Sequence, residues 1–268
     1  MNLKSLFLAA SSLVIVFPVS AGEWMKKVMR YDLDGTTFES TVVYRAGGDD
    51  LRPGVLMVPN WMGPTEESLK KARSVAGDDF VVMMVDMYGV GVRPANGEEA
   101  GKAAGMVRAD RGLMRARAAK ALEVFRSEAG SIGLDPERIA AIGFCFGGGT
   151  VLELGRSGAE LDAIVTFHAD LASPTLEADA GATRAKVMVL HGADDPYVPQ
   201  SDVQSWVAAM RATQVDWQLV QFSGTVHSFT DPLATATGQA EYNPVSSARA
   251  FEMMDELIEE IWGDPEDE

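Results

Sequence analysis

Short, continuous runs of apolar residues recur along the chain, and stretches with helical character separate them. Such runs predict buried strands, because parallel strands that helices cover on both faces have few polar positions. They occupy residues 53–59 and 80–89, after a partly alternating, β-rich segment at 35–46, and further strands are predicted at 138–144, 161–169, 185–195 and 215–224. Helical patterns occupy residues 66–76, 97–129 (one or two helices), 147–158, 201–213 and 243–262. This alternation predicts an α/β fold with a mostly parallel central sheet, helices on both faces, and active groups beyond the carboxyl ends of the strands.

The first 21 residues have a different pattern. One early cation, Lys4, precedes an apolar stretch at residues 6–17, and small residues stand at Val19 and Ala21. This arrangement is typical of a cleaved secretory signal peptide. A membrane anchor is the alternative, but the apolar stretch is shorter than the roughly 20 residues that a bilayer requires. We therefore expect export to the periplasm or the medium, removal of residues 1–21, and no membrane contact afterwards.

Composition and charge narrow the function classes. Of the 268 residues, 47% are apolar and 23% are charged, as in globular proteins. Since neither an internal repeat nor a break in composition is visible, residues 22–268 are expected to form a single domain with a short acidic tail, as a monomer or weak homo-oligomer. The net charge of −16 disfavours a nucleic-acid partner, because phosphate binding needs clustered Lys and Arg. Neutral or cationic small molecules are the expected partners.

Cys145 is the only cysteine of the chain, so it can form neither an internal disulfide nor, alone, a metal site. It is either a small buried apolar residue or a reactive thiol. Its flanks favour a thiol, because Gly143-Phe144-Cys145-Phe146-Gly147 has the form of a nucleophile elbow with sulfur in place of oxygen. Glycine on both sides lets a strand turn sharply into a helix, whose N-terminus favours a thiolate. The amide of Phe146 is then a candidate oxyanion donor.

A nucleophile of this kind needs a base, and the base needs an acid that orients it. Of the three histidines, His227 follows the last predicted strand, whereas His168 and His191 lie at or near earlier strand ends, where structural histidines are common. Asp194 and Asp195 end the penultimate predicted strand, and both are acid candidates. The order Cys, Asp, His along the chain matches the nucleophile, acid, base order of α/β-hydrolases.

The segments "GFCFGG", "HGADDPYVP" and "HSFTDP", after a "RPGVLMVPNWMG" strand and loop, resemble the dienelactone hydrolase family. The resemblance covers about residues 36–261 and implies the α/β-hydrolase fold. It implies Cys145 as the nucleophile, His227 as the base and Asp195, in preference to its neighbour, as the acid. It also implies the backbone N–H of Trp61 as the second oxyanion donor.

Several positions depart from the family's pattern. Asn60 stands where family members commonly carry a glutamate that helps control the ionisation of the cysteine. The arginines that hold the substrate carboxylate in the family correspond to Asp231 and Val90, with Arg93 as a candidate substitute. A neutral ester, lactone or thioester is therefore expected rather than an anionic lactone.

Side chains on loops beyond the strand ends are candidates to line an apolar cleft. The expected substrate contacts are Asn60, Met62, Tyr88 and Arg93, with Trp61, Met87 and Phe146 beside them. Ordinary packing is the alternative for each of these residues.

The leading hypothesis is an exported cysteine hydrolase that cleaves an ester or lactone of a small molecule through an acyl-thioester, without a metal or cofactor. The alternative is a homologue that has lost the reaction and binds a small molecule, which Asn60 motivates. A redox role for Cys145 has less support, since no second cysteine is present to resolve a sulfenic acid. The sequence contains no recognisable metal-binding or nucleotide-binding motif.

Overall fold

The computed structural model describes residues 22–47 and 50–263. The predicted signal peptide and residues 264–268 of the acidic tail lie outside the described residues, so signal cleavage and the domain boundary stay predictions. Within the described ranges, no helix combines the length and apolar character that crossing a membrane demands.

Eight strands form the central sheet: β1 (Trp24–Leu33), β2 (Thr36–Arg45), β3 (Arg52–Val58), β4 (Val81–Met84), β5 (Leu134–Phe144), β6 (Ala163–Phe167), β7 (Lys186–Gly192) and β8 (Trp217–Phe222). Their order across the sheet is β1-β2-β4-β3-β5-β6-β7-β8. The β1–β2 and β2–β4 pairs are antiparallel, and the other pairs are parallel. The prediction of a mostly parallel sheet is confirmed.

The helices are α1 (Glu66–Ala76), α2 (Gly97–Ala109), α3 (Arg111–Ser127), α4 (Ala129–Ile132), α5 (Phe146–Arg156), α6 (Leu176–Asp179), α7 (Gln200–Arg211) and α8 (Pro244–Trp262), with a 3-10 turn at Ala180–Ala182. The segment predicted as one or two helices is thus divided into α2, α3 and the short α4. The first division has a local cause, because the Asp110 side chain accepts a hydrogen bond from the Leu113 N–H at 2.9 Å and so starts a new helix.

Alternate residues of the strands face two separate hydrophobic cores. In β3, Leu56 and Val58 pack with residues of α2, α3, α5 and α7, whereas Val55 and Met57 pack with residues of α1 and α8. Since both faces are covered, β4 and residues 54–58 of β3 are apolar throughout, which is the property that made them recognisable in the sequence.

Two parts of the sheet system were not predicted. Edge strand β1 pairs along its whole length with β2, and its exposed positions are mostly polar or charged. A small hairpin, β9 (Thr235–Ala236) with β10 (Ala240–Glu241), follows the last strand of the main sheet. This hairpin is important for the site, because His227 forms a bridge with Ala240.

Candidate active site

Cys145 occupies the single residue between β5 and α5, and its backbone has φ 54° and ψ −117°. The turn leaves no room for a side chain at Gly143 or Gly147, which lie two residues before and after Cys145. A Cβ at Gly143 would lie 2.2 Å from the Gly147 carbonyl oxygen, and one at Gly147 would lie 2.1 Å from the Val58 carbonyl oxygen. Glycine is therefore required at both positions for steric reasons, as the elbow pattern predicts.

The Cys145 side chain is half-buried at the N-terminus of α5. Its backbone N–H donates to the Phe167 carbonyl at 3.0 Å, which holds the elbow against the end of β6. The free N–H groups and the dipole of the helix N-terminus favour a negative charge on the sulfur.

His227 lies on the loop after β8, with its ring between Cys145 and Asp195. Its Nδ1 donates to Asp195 Oδ2 at 2.7 Å, and both residues are less than a tenth exposed. Burial by itself would lower the pKa of His227, but the hydrogen bonds and charges of Asp195 and Cys145 raise that pKa to about 10. The imidazole can therefore be held as the cation beside the Asp195 carboxylate.

Of the two acid candidates, the structure brings Asp195 to His227. The other Asp195 oxygen, Oδ1, accepts a hydrogen bond from the Tyr197 N–H at 2.8 Å, so the carboxylate is fixed at both ends. Asp194 is exposed, and its backbone N–H donates to the Thr225 carbonyl.

The other two histidines lie buried near His227. The rings of His168 and His227 meet edge to face with centroids 5.1 Å apart, and His168 Nε2 lies 2.9 Å from the Thr230 hydroxyl oxygen. Burial lowers the pKa of His168 and of His191, which disfavours the protonated form of both rings. Neither Nδ1 atom has a hydrogen-bond partner among residues 22–47 and 50–263.

The loop after β3 brings Trp61 close to the elbow. The Val58 and Pro59 carbonyls lie against Gly147, in the first turn of α5. The Asn60 side chain accepts a hydrogen bond from the Met62 N–H at 3.0 Å, which closes the loop locally. The Trp61 indole is 41% exposed and lies across α2, since a Cβ at Gly97 would be 3.6 Å from its ring.

The predicted pocket residues divide into two groups. Asn60 and Met62 line a cavity of about 330 Å³, together with Lys71, Phe144 and Asp231.

Met87 and Tyr88 differ from the expectation of cleft lining, because each is 2% exposed and packs inside the molecule. Phe146 is buried to the same extent. The Arg93 guanidinium is already bonded to other residues of the chain. It pairs with Asp86 at 2.9 Å and donates to the Gly89 carbonyl at 2.6 Å.

Two residues near the site were missed from the sequence. The Tyr197 ring meets His227 edge to face at 5.2 Å, and its place two residues after Asp195 was the available signal. Lys71 lies on α1 with Nζ 4.2 Å from the Phe144 ring centroid, and it donates to the Thr230 carbonyl at 3.2 Å. No local pattern distinguishes it from Lys70.

Comparison with known proteins places these observations in a family. The model of the dienelactone hydrolase family matches residues 41–262. The solved structure of a protein named m3DLH is 36% identical, covers 90% of this chain and 99% of its own, and superposes with a TM-score of 0.82. A dienelactone hydrolase-like promiscuous phosphotriesterase from metagenomic libraries is 33% identical, with the same coverage and TM-score. An uncharacterized protein of Caenorhabditis elegans is 26% identical over 136 residues, which are 48% of this chain and 84% of that protein.

Proposed function

The chain belongs to the dienelactone hydrolase family, and we propose that it cleaves an ester or lactone bond of a small molecule through an acyl-thioester on Cys145. The observation that carries this proposal is the placement of His227, which is bonded to Asp195 and has its pKa raised by both Asp195 and Cys145. A half-buried thiol at a helix N-terminus, beside a histidine of this kind, is an activated nucleophile.

In the proposed acylation step, the Cys145 thiolate attacks the substrate carbonyl carbon, and the π electrons move to the carbonyl oxygen. The N–H groups of Phe146 and Trp61 donate to this oxyanion. When the intermediate collapses, the C–O bond to the alcohol breaks, and the imidazolium of His227 gives its proton to the leaving oxygen.

Deacylation completes the cycle. Neutral His227 takes a proton from a water molecule that attacks the thioester carbonyl, and the C–S bond then breaks to release the acid and regenerate the thiolate. Asp195 keeps the imidazole oriented during both proton transfers, since its carboxylate holds Nδ1.

The surroundings of the site favour an uncharged substrate. The cavity beside the Trp61 loop, next to Phe144 of the elbow but not lined by Cys145 or His227, has one cation, Lys71, and two carboxyl side chains, Glu67 and Asp231, in its lining. The chain as a whole carries a net charge of −16, which opposes the accumulation of anions. Arg93 is committed to Asp86, so we leave it out of the proposed substrate site.

We also propose phosphotriesters as a second substrate class, because a relative that is 33% identical, and matched over 99% of its own length, is described as a promiscuous phosphotriesterase. The same thiolate would attack phosphorus and form a P–S bond, while the P–O bond to one alcohol breaks and the imidazolium of His227 gives its proton to the leaving oxygen; water would then cleave the P–S bond with neutral His227 as base. Export through residues 1–21 is proposed on their charge and apolar pattern alone.

The decisive experiment combines burst kinetics with intact-mass measurement. A nitrophenyl acetate or a nitrophenyl phosphotriester should give a burst of nitrophenol and a covalent adduct on Cys145, the single cysteine of the chain. Cys145→Ala should abolish the adduct and lower turnover about a thousandfold or more, because the nucleophile is removed.

Titration of the thiol with and without denaturant, together with circular dichroism of both proteins, provides the control for folding and for an intact sulfur. Full turnover by Cys145→Ala would contradict the proposal. Saturable ligand binding without any burst between pH 6 and pH 10 would instead favour the small-molecule binding protein.

A further inference from the structure

The Tyr88 side chain is buried against the two segments that supply the proposed oxyanion donors, the loop after β3 and the start of α5. Its hydroxyl donates to the Trp61 carbonyl at 2.7 Å, although the two residues are 27 positions apart. Its ring lies against the Phe146 ring, with centroids 5.7 Å apart and the planes tilted by 33°. One side chain therefore touches the residue on each side of the space where the substrate oxygen would be held.

The contact with Trp61 acts on a defined peptide unit. The carbonyl that Tyr88 holds belongs to the peptide between Trp61 and Met62, and the N–H of the same peptide donates to the Asn60 side chain at 3.0 Å. Since a peptide unit is planar, holding both its carbonyl and its N–H fixes its orientation. The proposed donor, the Trp61 N–H, lies on the adjoining peptide, so only the φ and ψ angles of Trp61 separate it from this fixed unit.

Tyr88 is itself held rigidly. The Oδ1 atom of the fully buried Asp86 accepts hydrogen bonds from the Tyr88 N–H at 2.9 Å and the Gly89 N–H at 3.0 Å. A Cβ at Gly63 would lie 3.1 Å from the tyrosine ring, so the loop packs closely on it. Burial, followed by the charge of Cys145, raises the pKa of Tyr88, which keeps its hydroxyl protonated and able to donate.

We infer that Tyr88 is a positioning residue that sets the distance between the Trp61 and Phe146 amides and thereby the geometry of the oxyanion hole. This inference rests on the proposed function. The donor-to-oxyanion distances at which an oxyanion donor is effective span only about 0.4 Å. A displacement of about 1 Å can therefore cost about a hundredfold in rate.

Tyr88→Phe removes the hydroxyl and keeps the ring. With nitrophenyl acetate, kcat should fall about tenfold to a hundredfold while KM changes less than about twofold, because the amides act on the transition state rather than on the bound ester. The affinity of a trifluoromethyl ketone, whose thiohemiketal with Cys145 mimics the oxyanion, should fall by a similar factor. Asn60→Ala, which releases the other end of the same peptide, should give the same separation of kcat from KM.

Tyr31→Phe is the matched control. Tyr31 is also a buried tyrosine, and its hydroxyl lies 2.8 Å from the Ser40 hydroxyl, whose bond with the Asp86 N–H the substitution leaves in place. This variant should lose a comparable amount of stability in urea but keep kcat within about twofold of the original protein.

Three results would overturn the inference: an unchanged kcat in Tyr88→Phe, equal losses of kcat in Tyr88→Phe and Tyr31→Phe, or a loss that is confined to KM. The failure of the proposed function is recognised separately, because it would appear as turnover that survives in Cys145→Ala. A normal rate in Tyr88→Phe with an inactive Cys145→Ala would overturn only the positioning role.

Discussion

At the scale of single residues, the site depends on backbone conformations that most side chains avoid. Cys145 and His168 have φ values of 54° and 43°, and they follow the ends of the adjacent strands β5 and β6. Each still donates its N–H to the next strand, to the Phe167 carbonyl at 3.0 Å and the Leu190 carbonyl at 2.8 Å. A left-handed conformation costs roughly 1 kcal/mol or more. At both positions these bonds hold the residue in the sheet while the chain turns away from it.

The pH dependence of the reaction is set by the residues that hold His227. Burial by itself lowers its pKa, and the interactions with Asp195 and Cys145 outweigh burial and raise that pKa to about 10. The imidazolium that protonates the leaving oxygen should therefore be lost only as the pH rises towards 10. In Asp195→Asn, one of the two partners is neutral, so the alkaline limb of kcat/KM should move to lower pH. At neutral pH the rate should fall by about 10²- to 10⁴-fold.

Asp194→Asn is the neighbouring control, because Asp194 is exposed and it is the Asp195 carboxylate that holds His227 Nδ1. Its profile of kcat/KM between pH 5 and pH 10.5 should overlay that of the original protein.

The stability of the fold depends on pH through the same histidine. The raised pKa of His227 stabilises the fold most below the ordinary value near 6.5, and this contribution disappears as the pH rises through about 10. An alkaline limb that stays in place in Asp195→Asn would contradict this assignment of the acid.

At the scale of elements, the carboxyl ends of parallel strands explain why the catalytic candidates could be predicted. Cys145, Asp195 and His227 each follow a strand that the sequence pattern predicts, and such ends meet at one edge of the sheet. Strand β1 lacked this signal, because an edge strand with one exposed face alternates irregularly between apolar and charged residues. The β9–β10 hairpin was missed for another reason, since two-residue strands are too short to have a periodicity.

The close contact between α5 and the loop after β3 provides a test at this scale. A Cβ in Gly147→Ala would lie 2.1 Å and 2.4 Å from the Val58 and Pro59 carbonyl oxygens, so the loop that leads to Trp61 must move. Overpacking of this kind costs about 1–3 kcal/mol of unfolding free energy, and kcat should fall with it. Urea denaturation and steady-state kinetics would measure the two effects.

Gly105→Ala is the matched substitution, because Gly105 lies within α2 and a Cβ there has no neighbour within 4 Å. This variant should gain about 0.5–1 kcal/mol from helix propensity and keep its activity. If both variants had the same stability, the steric account of the elbow would be wrong.

At the scale of the whole molecule, the interactions that support the site join residues that are far apart in the sequence. Tyr88 and Trp61 are 27 positions apart, and Arg115 and Glu153 are 38 positions apart. Motifs and periodicity describe neighbours along the chain, so they predict which residues reach the sheet edge but not which of them bond to one another.

The buried carboxylate of Glu153 joins three helices on the face of the sheet that carries the elbow helix. It lies on α5, is fully buried, and pairs with Arg115 of α3 at 2.6 Å and with Arg156 of its own helix at 2.7 Å. Arg115 and Arg156 also pair with Asp179 at the end of α6. Burial opposes the charge of Glu153, but Arg156 and the other hydrogen-bonding partners outweigh it and lower the pKa of this carboxyl below its usual value.

Glu153→Gln leaves the arginine charges buried without their counter-charge and should cost about 3 kcal/mol of unfolding free energy at pH 7. A lowered pKa stabilises the fold above the ordinary value near 4.5, and this contribution disappears as the pH falls through the lowered pKa. The stability difference between the two proteins should therefore shrink below pH 4.5, which urea titrations at several pH values would measure.

Glu160→Gln is the control. It alters an exposed pair with Arg184 and should change stability by less than about 0.5 kcal/mol at any pH. A pH-independent loss in Glu153→Gln would mean that packing, and not charge, holds α3, α5 and α6 together.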